Sequence, residues 1–230
     1  MTSTADAAAA GLRIALQYTS SSARLQAALQ AGTHPEPAFV AVLVDRCAVE
    51  PDFFVRDMLT WALVRHPVEL TVPRLLYEVG DESPQARSQA LHTLSKIGDP
   101  RGWSVITSAL LRDAHDDVAR SAWRTAVILL PEGRASWLAG ELVGQLGRGD
   151  RDLQRSLSRA LAELGYATTI ALAPYLEHRD TTVRTHAIAT ERIMEDPDEG
   201  FEQAIAEAQR VVALGVAASL LDDGDGPAGP

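Results

Sequence analysis

An internal period of about thirty residues constrains this chain more than any local motif. The pairs Ala23-Arg24, Val55-Arg56, Ala86-Arg87, Val118-Ala119, Leu153-Gln154 and Val183-Arg184 recur at separations of 32, 31, 32, 35 and 30 residues. A segment of that length is one supersecondary unit, too short to hide its apolar face alone, so neighbouring units must stack to form a core. Six registers cover residues 20–214 and predict a single curved body with one continuous core.

Each register opens a helix. Three residues before the first member of each pair stand Ser20, Asp52, Ser83, His115, Asp150 and Asp180, and five of these six are residue types that accept a hydrogen bond from the first turn. Four residues after it stand Ala27, Leu59, Ala90, Ala122, Leu157 and Ala187, one turn along the same face. The four alanines there let a paired helix approach closely. Ile97-Gly98-Asp99-Pro100 reads as a helix end followed at once by a start, with Gly left-handed, Asp capping and Pro in the first turn. Pro131-Glu132-Gly133 and Gly165 break later registers in the same way. Second helices are expected over 36–48, 69–79, 100–112, 134–147, 168–178 and 199–214. Residues 1–19 are read as an N-terminal capping helix, and 215–230 as a short helix end with a disordered acidic tail from Asp222.

Composition agrees with an all-α fold. Hydrophobic residues make up 46% and aromatics only 5%, a balance that favours helices over strands. The net charge of −10 opposes polyphosphate partners, so nucleic acid is not the expected ligand. Lys96 is the single lysine among 21 basic residues, a bias of GC-rich coding of the kind found in actinobacteria. Cys47 is the single cysteine, which rules out an intrachain disulfide and a multi-thiolate metal site and fits a reducing cytoplasm. The N-terminus has neither a basic nor a strongly apolar segment, and apolar runs such as Val127–Leu130 fall far short of the ~20 residues that cross a bilayer. No membrane association is expected.

The stretch Pro84-Gln85-Ala86-Arg87-Ser88-Gln89-Ala90-Leu91 through Ser95-Lys96-Ile97-Gly98-Asp99-Pro100 resembles the HEAT-like repeat of phycobilisome-lyase type. Val49-Glu50-Pro51-Asp52-Phe53-Phe54-Val55-Arg56-Asp57 is similar to the HEAT arrays of actinobacterial regulators that carry a MerR-type head, a head that residues 1–19 are not expected to form. The resemblance implies an α-solenoid of about six antiparallel helix pairs. Registers four and five depart from it, with Ala119 and Gln154 where arginine is usual.

Second helices of such arrays line the concave face, so Arg74, Glu78, Ser108, Arg112, Trp137, Glu141, Gln145 and Tyr175 are the candidate binding residues. Arginine and aromatics are the types that interfaces concentrate. Trp61 and Trp123, on first helices, read as core. Arg24, Arg56, Arg87 and Arg184 share one register and read as structural, paired with acids of a neighbouring turn such as Asp52, Asp57 or Asp180. His66, His115 and His178 fall at turns, where solvation or capping suffices, and His92 and His186 on first-helix surfaces or grooves. No histidine pair or carboxylate has the spacing of a metal site, and no nucleophile, P-loop or dinucleotide signature occurs. Asp116-Asp117 and Asp81-Glu82 sit where helix starts favour acids. The expectation is therefore a non-catalytic scaffold or adaptor that binds a partner protein through its concave face, without a cofactor. The alternative is a sensor or sequestering protein for a small apolar or cationic molecule. A lyase or DNA glycosylase rests on resemblance of fold alone.

Overall fold

The computed structural model describes residues 4–222, with side chains through 215. Among them there are helices and no strand. Contacts cluster into two compact units, Met1–Pro131 and Glu132–Pro230, where the repeat pattern leads one to expect a single continuous core. The break coincides with Pro131-Glu132-Gly133, which ends one helix pair and holds Gly133 at φ 76°.

The N-terminal unit comprises α1 (Thr4–Ala15), α2 (Ser21–Thr33), α3 (Phe39–Cys47), α4 (Phe53–Val64), α5 (Val68–Glu78), α6 (Pro84–Ile97), a 3-10 segment (Pro100–Val105), α7 (Ser108–Leu111) and α8 (Asp116–Ile128). First helices α2, α4, α6 and α8 stack in succession, and α1, α3, α5 and the 3-10 segment stack alongside them, with α1, α3 and α5 each packed on the first helix that follows it in the chain. This neighbour-to-neighbour packing is that of an α-solenoid. The C-terminal unit comprises α9 (Ala135–Val143), α10 (Arg151–Ala162), α11 (Tyr166–Leu172), a 3-10 turn (Ala173–Tyr175), α12 (Thr181–Glu195) and α13 (Phe201–Asp222). Here α10 packs on α12, α9 on α11, and α13 on α12.

All six expected N-caps stand at the caps. Ser20, Asp52, Ser83, Asp150 and Asp180 accept the main-chain N–H three residues on, whereas His115 makes no side-chain cap bond. Asp116 and Asp117 fill the first turn of α8, where the helix dipole favours negative charge. Gly98 ends α6 at φ 72°, and Asp99 caps the next segment with Pro100 in its first turn, as the sequence indicates.

The apolar stripe is buried where expected at Val55/Leu59, Ala86/Ala90, Val118/Ala122 and Leu153/Leu157. In α2 it is rotated by one residue, so that Arg24 and Ala28 are buried rather than Ala23 and Ala27. The expected helix 100–112 is broken: Ile106 and Thr107 are extended, and Thr107 caps the short α7. Two successive β-branched residues, Ile106 and Thr107, favour the break. The expected helix 168–178 starts at Tyr166 and tightens into a 3-10 turn at Pro174, which has no N–H to give. The last helix continues past 214 to Asp222, and the remainder of the expected acidic tail, 223–230, lies outside the described residues. No helix of the described residues is long and apolar enough to cross a membrane.

Candidate functional site

The register arginines build one edge of the N-terminal unit. Arg24 sits four residues past its cap, and its Nη1 reaches back to donate to the carbonyls of Tyr18 and Thr19, both at 2.9 Å. Arg56 does the same to Glu50 and Pro51 at 2.8 Å, and Arg87 to Asp81 and Glu82 at 3.0 Å. Each guanidinium thus satisfies two orphaned carbonyls of the preceding loop. In the fifth register Gln154 substitutes, its amide reaching the carbonyls of Gly149 at 3.3 Å and Gly147 at 3.5 Å. Ala119 has no group that can do so.

The expected acid partners are not the ones used. Arg24 pairs bidentately with Glu50, at 2.8 Å from Nε and 2.7 Å from Nη2, while Arg87 pairs with Asp113 at 3.0 Å. Asp52 and Asp180 are occupied in capping main-chain N–H groups, which leaves loop acids of the next repeat as the groups within reach. Glu50 is fully buried and also accepts from Arg46 at 2.6 Å and from the Asp52 N–H at 2.9 Å. Desolvation works to raise its pKa, but the hydrogen bonds from Arg24, Asp52 and Arg46 prevail and hold the carboxyl down to about 2. Gln85 of the next repeat donates to the carbonyls of Cys47 and Glu50, so three successive loops are tied in a row.

On this fixed edge stand large apolar side chains facing solvent. Phe53 and Phe54, in the first turn of α4, are 65% and 70% exposed and meet edge to face with centroids 5.6 Å apart. Val49 and Tyr18 on the adjoining loops are also exposed, and about one turn back along α5 Tyr77 is 77% exposed. Arg74 lies over the Tyr77 ring at 5.4 Å, held there by Asp45 at 2.9 Å and Glu78 at 2.6 Å. A touching pair of exposed aromatics such as Phe53 and Phe54 is uncommon on a soluble monomer and marks a contact surface.

Of the residues the sequence singles out, Arg74, Glu78, Ser108 and Arg112 lie in the N-terminal unit and Trp137, Glu141, Gln145 and Tyr175 in the C-terminal unit. Arg74 and Glu78 come together, but Glu78 is buried and serves to anchor Arg74 rather than to face a ligand. Ser108 is half-buried at the start of α7, and Arg112 is exposed just beyond its end. Trp137 is half-buried under the Arg134 guanidinium at 4.8 Å, and Glu141 is half-buried one turn later. Gln145 accepts from Arg148 at 2.9 Å, and Tyr175 stacks on His178 with centroids 5.9 Å apart.

Phe53, Phe54, Tyr77 and Val49 are absent from that candidate set. The signal was present: two aromatics at the first two helical positions fall outside the stripe set by Val55 and Leu59. Trp123 is core as expected, but Trp61 is 37% exposed, laid against Gly32 with Arg65 over its ring.

Two histidines read as surface or turn residues are buried. His66 is tucked against the Ala62 carbonyl at 2.8 Å. His186 lies 3.0 Å from Ser158, which in turn meets Thr190 at 2.7 Å. This is not a nucleophile–base pair. The Gly147 N–H donates to His186 Nδ1 at 2.9 Å, so the proton sits on Nε2, facing Ser158 and the Gln154 carbonyl. A protonated Nε2 cannot accept the serine proton, and all three side chains are buried.

No protein-family model and no curated protein matches the chain.

Proposed function

We propose that this protein is a non-catalytic scaffold of HEAT-like helix pairs that binds a partner protein, and that the loop edge of its N-terminal unit is the contact surface. The observation that carries this reading is the exposed, touching pair Phe53 and Phe54 at the start of α4, with exposed Tyr77 near the end of α5, in a unit whose loops are fixed by the arginine–carbonyl clamps and by buried Glu50. Ordering aromatic side chains on a rigid edge lowers the entropy lost on association, the usual basis of a hot spot. The surface proposed is thus displaced from the concave second-helix face toward the loops at its border, where Arg74 and Tyr77 remain members.

The test replaces Phe54 with a photoreactive phenylalanine analogue and irradiates the protein in lysate of its source. A discrete crosslinked protein is expected, competed by excess unlabelled wild type but not by a Phe53→Ser, Phe54→Ser, Tyr77→Ala variant of unchanged helicity. Competition by that variant equal to wild type overturns the reading.

A further inference from the structure

We propose that the groove between α10 and the α12–α13 turn of the C-terminal unit is a docking site for a basic peptide segment bearing apolar side chains. The groove encloses about 890 Å³. Its floor is apolar, formed by Ala162, Ile193, Met194 and Phe201, with the Arg155 guanidinium 5.8 Å over the Phe201 ring. Four carboxylates, Glu163, Asp198, Glu199 and Glu202, line it against two guanidiniums, Arg155 and Arg159.

The charges that remain unmatched are what an occupant would meet. Arg155 is engaged by Asp152 at 3.1 Å and Glu202 at 2.7 Å, and Glu199 by Arg192 at 2.9 Å. Among the described residues Glu163, Asp198 and Arg159 have no ion-pair partner and all three are exposed, so the unmatched charges of the groove are two negative and one positive, a net negative. The wider field has the same sign. Residues 132–230 hold 17 of the 31 acidic residues but 9 of the 21 basic ones, and so carry eight of the ten net negative charges. A lysine or arginine brought to Glu163 or Asp198 meets an unpaired carboxylate within this negative field.

Dimensions select a chain segment. Along α10 the groove runs from Arg155 to Glu163, about 12 Å at 1.5 Å per residue, the span of about four extended residues. Along it Arg159 and Glu163 are exposed and Arg155 and Ala162 half-buried, whereas a small-molecule site encloses most of its ligand. Apolar side chains of the segment rest on Met194 and Phe201, its basic heads meet Glu163 and Asp198, and Arg159 donates to its main-chain carbonyls.

The probe is a dye-labelled, end-capped hexapeptide of alternating Arg and Leu, titrated against the full chain by fluorescence anisotropy at about 50 mM salt. Saturable one-to-one binding is expected, weakened about tenfold or more when Glu replaces Arg or Ser replaces Leu. A Glu163→Gln, Asp198→Asn variant with unchanged thermal melting should lose a similar factor, and Ala162→Trp, which fills the floor, provides a second readout. The Phe53→Ser, Phe54→Ser, Tyr77→Ala variant should bind the peptide as wild type does, which separates this site from the N-terminal edge. The proposal is overturned by non-saturable binding, by equal affinity of both groove variants, or by uptake of benzyltrimethylammonium without the peptide.

Discussion

A carboxylate with no exposed surface persists only where its charge is matched on every side, and Glu50 meets that condition through Arg24, Arg46 and a main-chain N–H. Glu50→Gln keeps the shape but leaves two guanidiniums without a counter-charge. A loss of about 3–5 kcal/mol is expected, read by urea denaturation. Protonation tests the same group. Its pKa is near 4.5 when unfolded and about 2 when folded, so the unfolded chain binds the proton first as pH falls. The stabilisation is complete above 4.5 and drains away toward 2, and that acid limb should flatten in the Gln variant. His186 acts in a different window. Burial holds it down to about 4 from an ordinary 6.5, so its contribution is complete above 6.5 and falls as pH drops toward 4. On the order of 3 kcal/mol is lost across that interval. Hydrogen exchange of α10 and α12 amides should show the loss, and His186→Gln should remove the pH slope.

Between elements, the closeness of first helices depends on small residues at named crossings. A Cβ at Gly32 would come within 2.9 Å of the Ala62 main chain and press on the Trp61 ring, so Gly32→Ala should cost about 1–3 kcal/mol, seen as earlier melting. Ala90 is 2% exposed on α6, which packs on both α4 and α8, and Ala90→Arg should cost several kcal/mol, on the order of 3 or more. At this scale the sequence was most legible. Helix starts are local events, decided by a side chain and the N–H three residues ahead, and Ser20, Asp52, Ser83, Asp150 and Asp180 could be read without knowing any partner. The rotation of α2 could not, because it arises from Glu50, 26 residues away, drawing Arg24 inward. The break at Ile106-Thr107 carries only a weak local signal, two β-branched residues in succession. For the candidate site, the repeat signalled a surface of second helices and marked Arg74. Phe53 and Phe54 lie off the Val55/Leu59 stripe, so their exposure is legible in the sequence, whereas their edge-to-face pairing depends on side-chain placement that periodicity does not carry.

For the molecule as a whole, the division at Pro131 separates two bodies of similar fold and different charge. The N-terminal unit holds 14 acids and 12 bases, so it is close to neutral, whereas the C-terminal unit carries a net −8. Self-repulsion of that size opposes the compact state and is screened by salt, since the Debye length shortens from about 14 Å at 0.05 M to about 4 Å at 0.5 M. Hydrogen-exchange mass spectrometry across that range should therefore show protection rising in peptides from α10, α12 and α13 while those from α4, α6 and α8 change little. The ion pairs of the first unit leave it nearly insensitive to salt: Arg24–Glu50 is buried and resists screening, and the exposed Arg101–Glu69 pair contributes little at any salt. Equal gains in both units would mean that apolar burial strengthened by salt, rather than charge, governs the response. The same screening weakens a basic peptide in the C-terminal groove, so the conditions that stabilise this unit are those that empty its proposed site.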